Sequence, residues 1–292
     1  MFARRSRYGW SLNTGLAALA MVTLGVLATF DAWCDIALIA RVDEEASHIL
    51  LVLPVVAWLV WVRRSRLARC PVKPSMIGPV LIGIGWFFSS FGFRHSIHSM
   101  WHLGAVIVVV GCLLSILGKQ LLVRFLPAFI VLVFLVPIPG RIRQRVSLPL
   151  MTATAKATQG ISGLLGIPAE RSGNQLSVNG RPIAIVEACN GLRMVFALLL
   201  VCYAFAFGEP LRNYVRLIII AATPFSAILC NVIRLVPTVW VYGYGGENLG
   251  RRFHDLSGWV MLVVAFLLLM GIIRILRWAL IPVTRYTLAW EY

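Results

Sequence analysis

A chain of 292 residues with 60% hydrophobic and only 13% charged side chains has too little polar surface to coat a water-soluble body; soluble domains run roughly 45–50% apolar. The formal net charge of +16 does not point to nucleic acid, because Lys and Arg sit in short clusters between apolar runs, as orientation signals do in membrane proteins. Composition therefore predicts an all-α polytopic membrane protein, a single domain over 1–292, since a spanning helix satisfies every backbone polar group within its own segment.

In chain order, Arg4, Arg5 and Arg7 precede an apolar run from about Gly9 to Phe30. No small-residue cleavage site follows it, so an uncleaved first transmembrane helix is expected. About eight apolar segments approach the length needed to cross ~30 Å of hydrocarbon: 10–30, 47–62, 76–93, 100–118, 121–138, 186–207, 214–241 and 257–281. Charge and turn signals separate them, among them Asp43-Glu44-Glu45, Arg63-Arg64-Ser65-Arg66, Lys119, Glu209-Pro210 and Gly245-Gly246. With both termini inside, the short basic loops fall on the cytoplasmic side; Arg141, Arg143 and Arg145 oppose the rule from a longer outer loop. Trp10, Trp33, Trp61 and Trp278 near span ends read as interface anchors.

His95, His98 and His102 are spaced for one helical face, but no carboxylate or cysteine accompanies them nearby in the sequence. The one long stretch outside the spans is about 139–185. Spaced apolar residues from Ser147 to Leu165 predict an interfacial amphipathic helix, and 174–186 reads as a β-hairpin turning at Asn179-Gly180. The hairpin runs directly into the sixth segment.

That junction, Glu187-Ala-Cys-Asn-Gly-Leu-Arg193, carries the chemistry. Cys189 stands beside a carboxylate, Asn190 and a guanidinium at the mouth of an apolar run, where ionisable groups are costly and default to function. Asn231 and Arg234 follow inside the seventh segment, and His254 just before the eighth. Under the N-in orientation Cys189, Arg234 and His254 converge on one leaflet. A thiolate is the nucleophilic form of cysteine, and a helix N-terminus and a neighbouring cation both favour it. His254 titrates nearest neutrality and suits a base or an imidazolium. Arg234 cannot lose its proton, so it suits an oxyanion, with Asn231 one turn earlier as a second donor. Glu187, Asn190 and Arg193 are read as supporting or substrate-binding groups. Cys112, Cys202 and Cys230 lie within apolar runs and Cys70 among basic residues; no tight Cys-x-x-Cys occurs, so neither a disulfide framework nor a zinc site is expected, and no cofactor is called for. Two other classes share these features: an acyltransferase on lipid or glycan with Cys189 incidental, and a transporter, which calls for inverted repeats that the sequence does not display.

The combination resembles the exosortase/archaeosortase family of membrane-embedded cysteine proteases and transpeptidases, its exosortase branch above all. The matching marks are Pro137-Ile-Pro139, Gly166-Ile-Pro-Ala-Glu-Arg171 with Gly173-Asn174, the Glu187–Arg193 element, Asn231-Val-Ile-Arg234, and His254 with Gly258-Trp259, a core of about 136–260. The resemblance implies Cys189 as nucleophile with Arg234 and His254 as partners, in a bacterial inner membrane with the site on its outer face. It implies exported protein substrates ending in a sorting tail: a short motif such as Pro-Glu-Pro, a transmembrane helix and a basic cluster.

Overall fold

The computed structural model of the protein describes residues 10–173, 175–178, 180–183 and 191–278. These are helical apart from one small sheet and the connections, and the chain divides into two compact units, Met1–Pro139 and Gly140–Tyr292.

In the first unit, α1 (Leu12–Ala28) starts at Ser11, whose Oγ accepts the Thr14 N–H at 3.1 Å and so satisfies one of the four orphan donors of a helix start. The apolar run does not continue straight into a loop, as the sequence predicted. It bends by 80° at Thr29 and goes on as α2 (Phe30–Val42). Thr29 Oγ1 donates back to Gly25 O at 2.8 Å and accepts from Trp33 Nε1 at 3.0 Å, so the break leaves its own hydroxyl satisfied. Next come α3 (Ile49–Val62), which carries Pro54 in its interior and is only about 21 Å long, and the short basic α4 (Arg64–Ala68). The expected 121–138 span is instead broken into α7 (Lys119–Arg124), α8 (Leu126–Leu132) and a 3-10 turn, Val133–Leu135. Pro127 in the first turn of α8 accounts for the interruption: it lacks an N–H and pushes the residues before it out of helical geometry.

Two long helices, α5 (Ile77–Arg94) and α6 (His98–Leu117), pair through glycines. A Cβ at Gly85 would sit 2.8 Å from Gly104 O and Val108 N, and one at Gly111 would sit 2.8 Å from Ile82 N. The backbones are thus in van der Waals contact, the close approach that small residues permit between membrane helices. Gly118 ends α6 at a φ of +83°, with the Lys73 carbonyl where a Cβ would be.

The second unit opens with α9 (Gly140–Leu164), which begins before the expected amphipathic helix and takes in Arg141, Arg143 and Arg145. Its small and polar face is buried (Ser147, Thr154, Ala155, Thr158, Ser162), while Leu148 and Leu164 point outward. Three antiparallel strands follow in the order β1 (Ala169–Ser172), β2 (Gln175–Val178), β3 (Arg181–Ile183). The pair β2–β3 is the hairpin read at 179–180, with Leu176 opposite Ile183 and Gly180 at a φ of +71°. Strand β1 was not foreseen, because Ala-Glu-Arg-Ser carries no alternating apolar signal.

Then α10 (Gly191–Gly208) and α11 (Asn213–Gly245) pack together around Val195, Leu198, Cys202, Val215, Ile219 and Cys230. Arg216 ties the turn between them: Nε donates to Ala206 O at 2.8 Å, satisfying a carbonyl at the end of α10. Finally α12 (Glu247–Trp278) follows α11 after Gly246 alone, at a φ of +86°, where a longer loop was expected.

Among the described residues, α5, α6 and α11 are each long and apolar enough to cross a membrane, and up to five spans result if two bent helix pairs each count as one. Eight were expected; two further helices among the described residues, Ile49–Val62 and Val195–Gly208, are apolar but shorter than a full span. Large apolar side chains such as Leu19, Phe87, Leu217 and Phe225 are exposed, the surface of a protein solvated by lipid. The all-α membrane architecture stands.

Candidate functional site

The second unit holds the sequence-predicted site residues, and α11 is its organising element. On its buried face lie Ala227, Asn231 (3% exposed), Leu235, Thr238 and Val239. Arg234 sits within this stretch, half-buried, one turn from both Asn231 and Thr238. Thr238 Oγ1 donates to the Arg234 carbonyl at 2.6 Å, so a fully buried hydroxyl is satisfied within the helix.

The sheet is fastened to the same turns. Leu235 and Val239 form a core cluster with Ile167 and with Leu176 and Val178 of β2, flanked by Ala169 and Tyr242. A Cβ at Gly243 would sit 2.5 Å from Val178 Cγ1, so only glycine lets the strand approach there. Strand β3, hydrogen-bonded to β2, is therefore held against the part of α11 that follows Arg234. From its end the chain leads through 184–190 to α10. Glu187, Cys189 and Asn190 belong to that connection and lie outside the described residues.

Arg193 falls in the first turn of α10 and His254 in the second turn of α12; their side chains are likewise outside the described set. His254 is thus helical, where the sequence placed it in a loop before the last span. The reason is the tight Gly246 turn, which lets α12 start at once. Helix α11 packs against both α10 and α12. Across the turn, Gly250 faces the ring of Tyr242, and a Cβ there would collide with it. One turn further from Gly246 on each helix come Thr238 and His254, and one turn beyond Thr238 comes Arg234.

The family model for transmembrane exosortases (Exosortase_EpsH) matches residues 33–271 of the chain, a stretch that includes Cys189, Arg234 and His254. The chain belongs to the transmembrane exosortase family. Neither the curated proteins nor the solved structures contain a match to it. In this exosortase, four of the five described cysteines, Cys70, Cys112, Cys202 and Cys230, are buried and none is paired with another. Burial pushes the Cys70 thiol up, against a smaller downward pull from Arg124.

A polar pair that the sequence did not disclose lies in the first unit. His102, fully buried on α6, meets Asp35 of α2 through Nε2 at 2.9 Å from Oδ2. The sequence offered no carboxylate near the three histidines; the one that arrives comes from the stretch between the first two expected spans. The histidines do not share one environment. His95 lies tilted against Phe91 with centroids 4.3 Å apart, and the His98 and His102 rings are 6.3 Å apart. Among the described residues no group of three His, Cys, Asp or Glu could hold a metal ion. Buried Nδ1 of His102 has no hydrogen-bond partner, which puts the ring proton on Nε2, donated to Asp35. Asp35→Ala would strand that buried donor at a cost of about 1–3 kcal/mol. Its thermal midpoint in detergent is expected to fall by several degrees, whereas Asp35→Asn, which keeps an acceptor oxygen, loses less.

Proposed function

We propose that the protein is a membrane-embedded cysteine endopeptidase and transpeptidase that removes C-terminal sorting tails from exported proteins. Membership of the exosortase family supports a sorting enzyme of this kind. The observation that carries the reading is that one helix, α11, bears Asn231 and Arg234 and packs on both α10, which follows the Cys189 segment, and α12, which bears His254.

Cys189, as thiolate, attacks the carbonyl of the scissile peptide bond just outside the membrane. Two influences favour that ionised form: the start of α10 two residues later in the sequence, and His254 as an imidazolium partner. The oxyanion that forms is met by the Arg234 guanidinium, with Asn231 as a second donor. Collapse of the tetrahedral species breaks the C–N bond; His254 gives its proton to the leaving amine, which departs with the transmembrane helix and basic cluster of the tail. The remaining thioester passes to an amine or to water, restoring the thiol. Glu187, Asn190 and Arg193 orient the nucleophile or bind the tail. The site faces outward from a bacterial inner membrane, with both termini in the cytoplasm.

A tail peptide carrying a Pro-Glu-Pro motif, acid-quenched during turnover with the purified protein, tests this. Mass spectrometry is expected to find the N-terminal product linked to Cys189 and released by hydroxylamine. Cleavage that proceeds with no such adduct, and that survives in Cys189→Ser, would refute the mechanism. Arg234→Gln is expected to lower kcat by about 10²–10³-fold, the usual effect of losing one oxyanion donor, with little change in KM.

A further inference from the structure

An apolar pocket of about 360 Å³ opens among α1, α3, α4, α6, α7 and α8 of the first unit, its walls including Trp10, Ala18, Leu67, Leu121, Phe125 and Ala128. Its wall and a cluster of exposed arginines are built from adjacent residues of the chain. Leu67 follows Arg66, and Phe125 follows Arg124. Arg124 Nη1 donates to Arg69 O at 2.8 Å, and the next carbonyl, that of Cys70, accepts Trp10 Nε1 at 2.8 Å. Arg69 Nε is held in turn by Ser65 O at 3.1 Å. Arg66, Arg69 and Arg124 are all exposed, and these backbone bonds take up only part of the five N–H donors that each guanidinium offers.

We propose that this is a binding site for one anionic glycerophospholipid, with an acyl chain in the pocket and the phosphate over Arg66, Arg69 and Arg124. A lipid tail gains little by leaving other tails for an apolar pocket, because both surroundings are equally oily. The pocket therefore sets shape, and preference among lipids comes from charge. Basic side chains at the membrane surface each strengthen binding of an anionic lipid roughly fivefold, so three together give on the order of 100-fold. The backbone bonds hold the Arg69 and Arg124 guanidiniums in place before the lipid arrives, which reduces the ordering that binding requires.

Native mass spectrometry of the full chain, titrated with phosphatidylglycerol or phosphatidylcholine of identical chains, tests the site. Phosphatidylglycerol is expected to bind on the order of 100-fold more tightly. The triple variant Arg66→Gln, Arg69→Gln, Arg124→Gln is expected to lose about 100-fold in phosphatidylglycerol affinity while phosphatidylcholine binding is unchanged. Exposed Arg274→Gln serves as the control for overall charge and is expected to change neither. Ala128→Phe, which fills the pocket, is expected to weaken both lipids. Should it fail to fold, the arginine comparison decides alone. Equal affinity of the parent protein for the two lipids would overturn the proposal. So would a triple variant that keeps its preference, an equal loss in the control, or competition by soluble glycerol phosphate at lipid-like concentrations, which marks a site for phosphate alone.

Discussion

Cys189→Ser is expected to reduce processing of a tail-bearing substrate by roughly 10⁶-fold, the scale on which removing a nucleophile abolishes covalent catalysis. Serine keeps the shape of the side chain but loses the ionisation on which attack depends, because a hydroxyl is not deprotonated by a helix terminus and an imidazolium near neutral pH. The informative companion is Cys202→Ser on α10. That thiol is 3% exposed within the core of the second unit and is hydrogen-bonded to Thr223. A hydroxyl introduced there finds the same partner, so the fold and the processing rate are expected to persist. Immunoblots of a surface substrate in cells carrying each variant separate the two outcomes. Processing that survives Cys189→Ser would leave an acyltransferase or transporter as the better account of the bundle.

Gly104→Leu is expected to abolish folded protein. A Cβ at this position would run into Ser89 N and meet Gly85 O at 2.5 Å, both backbone atoms that cannot swing aside. Overpacking a core commonly costs about 1–3 kcal/mol when side chains can adjust. Here α5 and α6 must part along their length, and the contacts at Gly78, Gly85 and Gly111 are lost with them, so the effect exceeds that range. Total stabilities of about 5–15 kcal/mol leave little to absorb it. Gly83 lies on the partner helix α5, and a Cβ there meets nothing within 4 Å. Gly83→Leu is therefore expected to leave the melting profile and the elution volume in detergent unchanged. Equal behaviour of the two variants would show that the glycine contacts do not hold this hairpin together.

The class of the fold was legible because it follows from composition: a chain this apolar has few places to go but lipid. The span boundaries were less so. Hydropathy sums over windows and is blind to a single Thr29 or Pro127, whose hydroxyl or missing N–H redirects the helix. Similarly, Gly246 merges a predicted loop into α12, since one residue at positive φ suffices to turn the chain. The hairpin at 179–180 announced itself through Asn-Gly, whereas β1 is recruited by pairing with β2 and has no signal of its own. Asn231 and Arg234 stood out as polar residues in an apolar run, and the structure gives them a buried helix face. Asp35 carried the same kind of signal, a carboxylate in the run Phe30–Val42, but was passed over because its partner His102 is 67 positions away. Contacts across such separations are set by packing, which no local spacing encodes.

The length of α11 has a bearing on where bond cleavage takes place. Its 33 residues measure about 50 Å, against about 30 Å of hydrocarbon, so up to about 20 Å of the rod stands clear of the oil when it crosses upright. The strands grip its final turns, from Leu235 to Gly243. With the proposed site facing outward, the Arg234 guanidinium, one residue before that grip, would lie at headgroup level, where water and phosphate lighten the burden of its charge. Under the proposed function, a protein still anchored by its own membrane helix would then present the susceptible amide without dragging it below the surface.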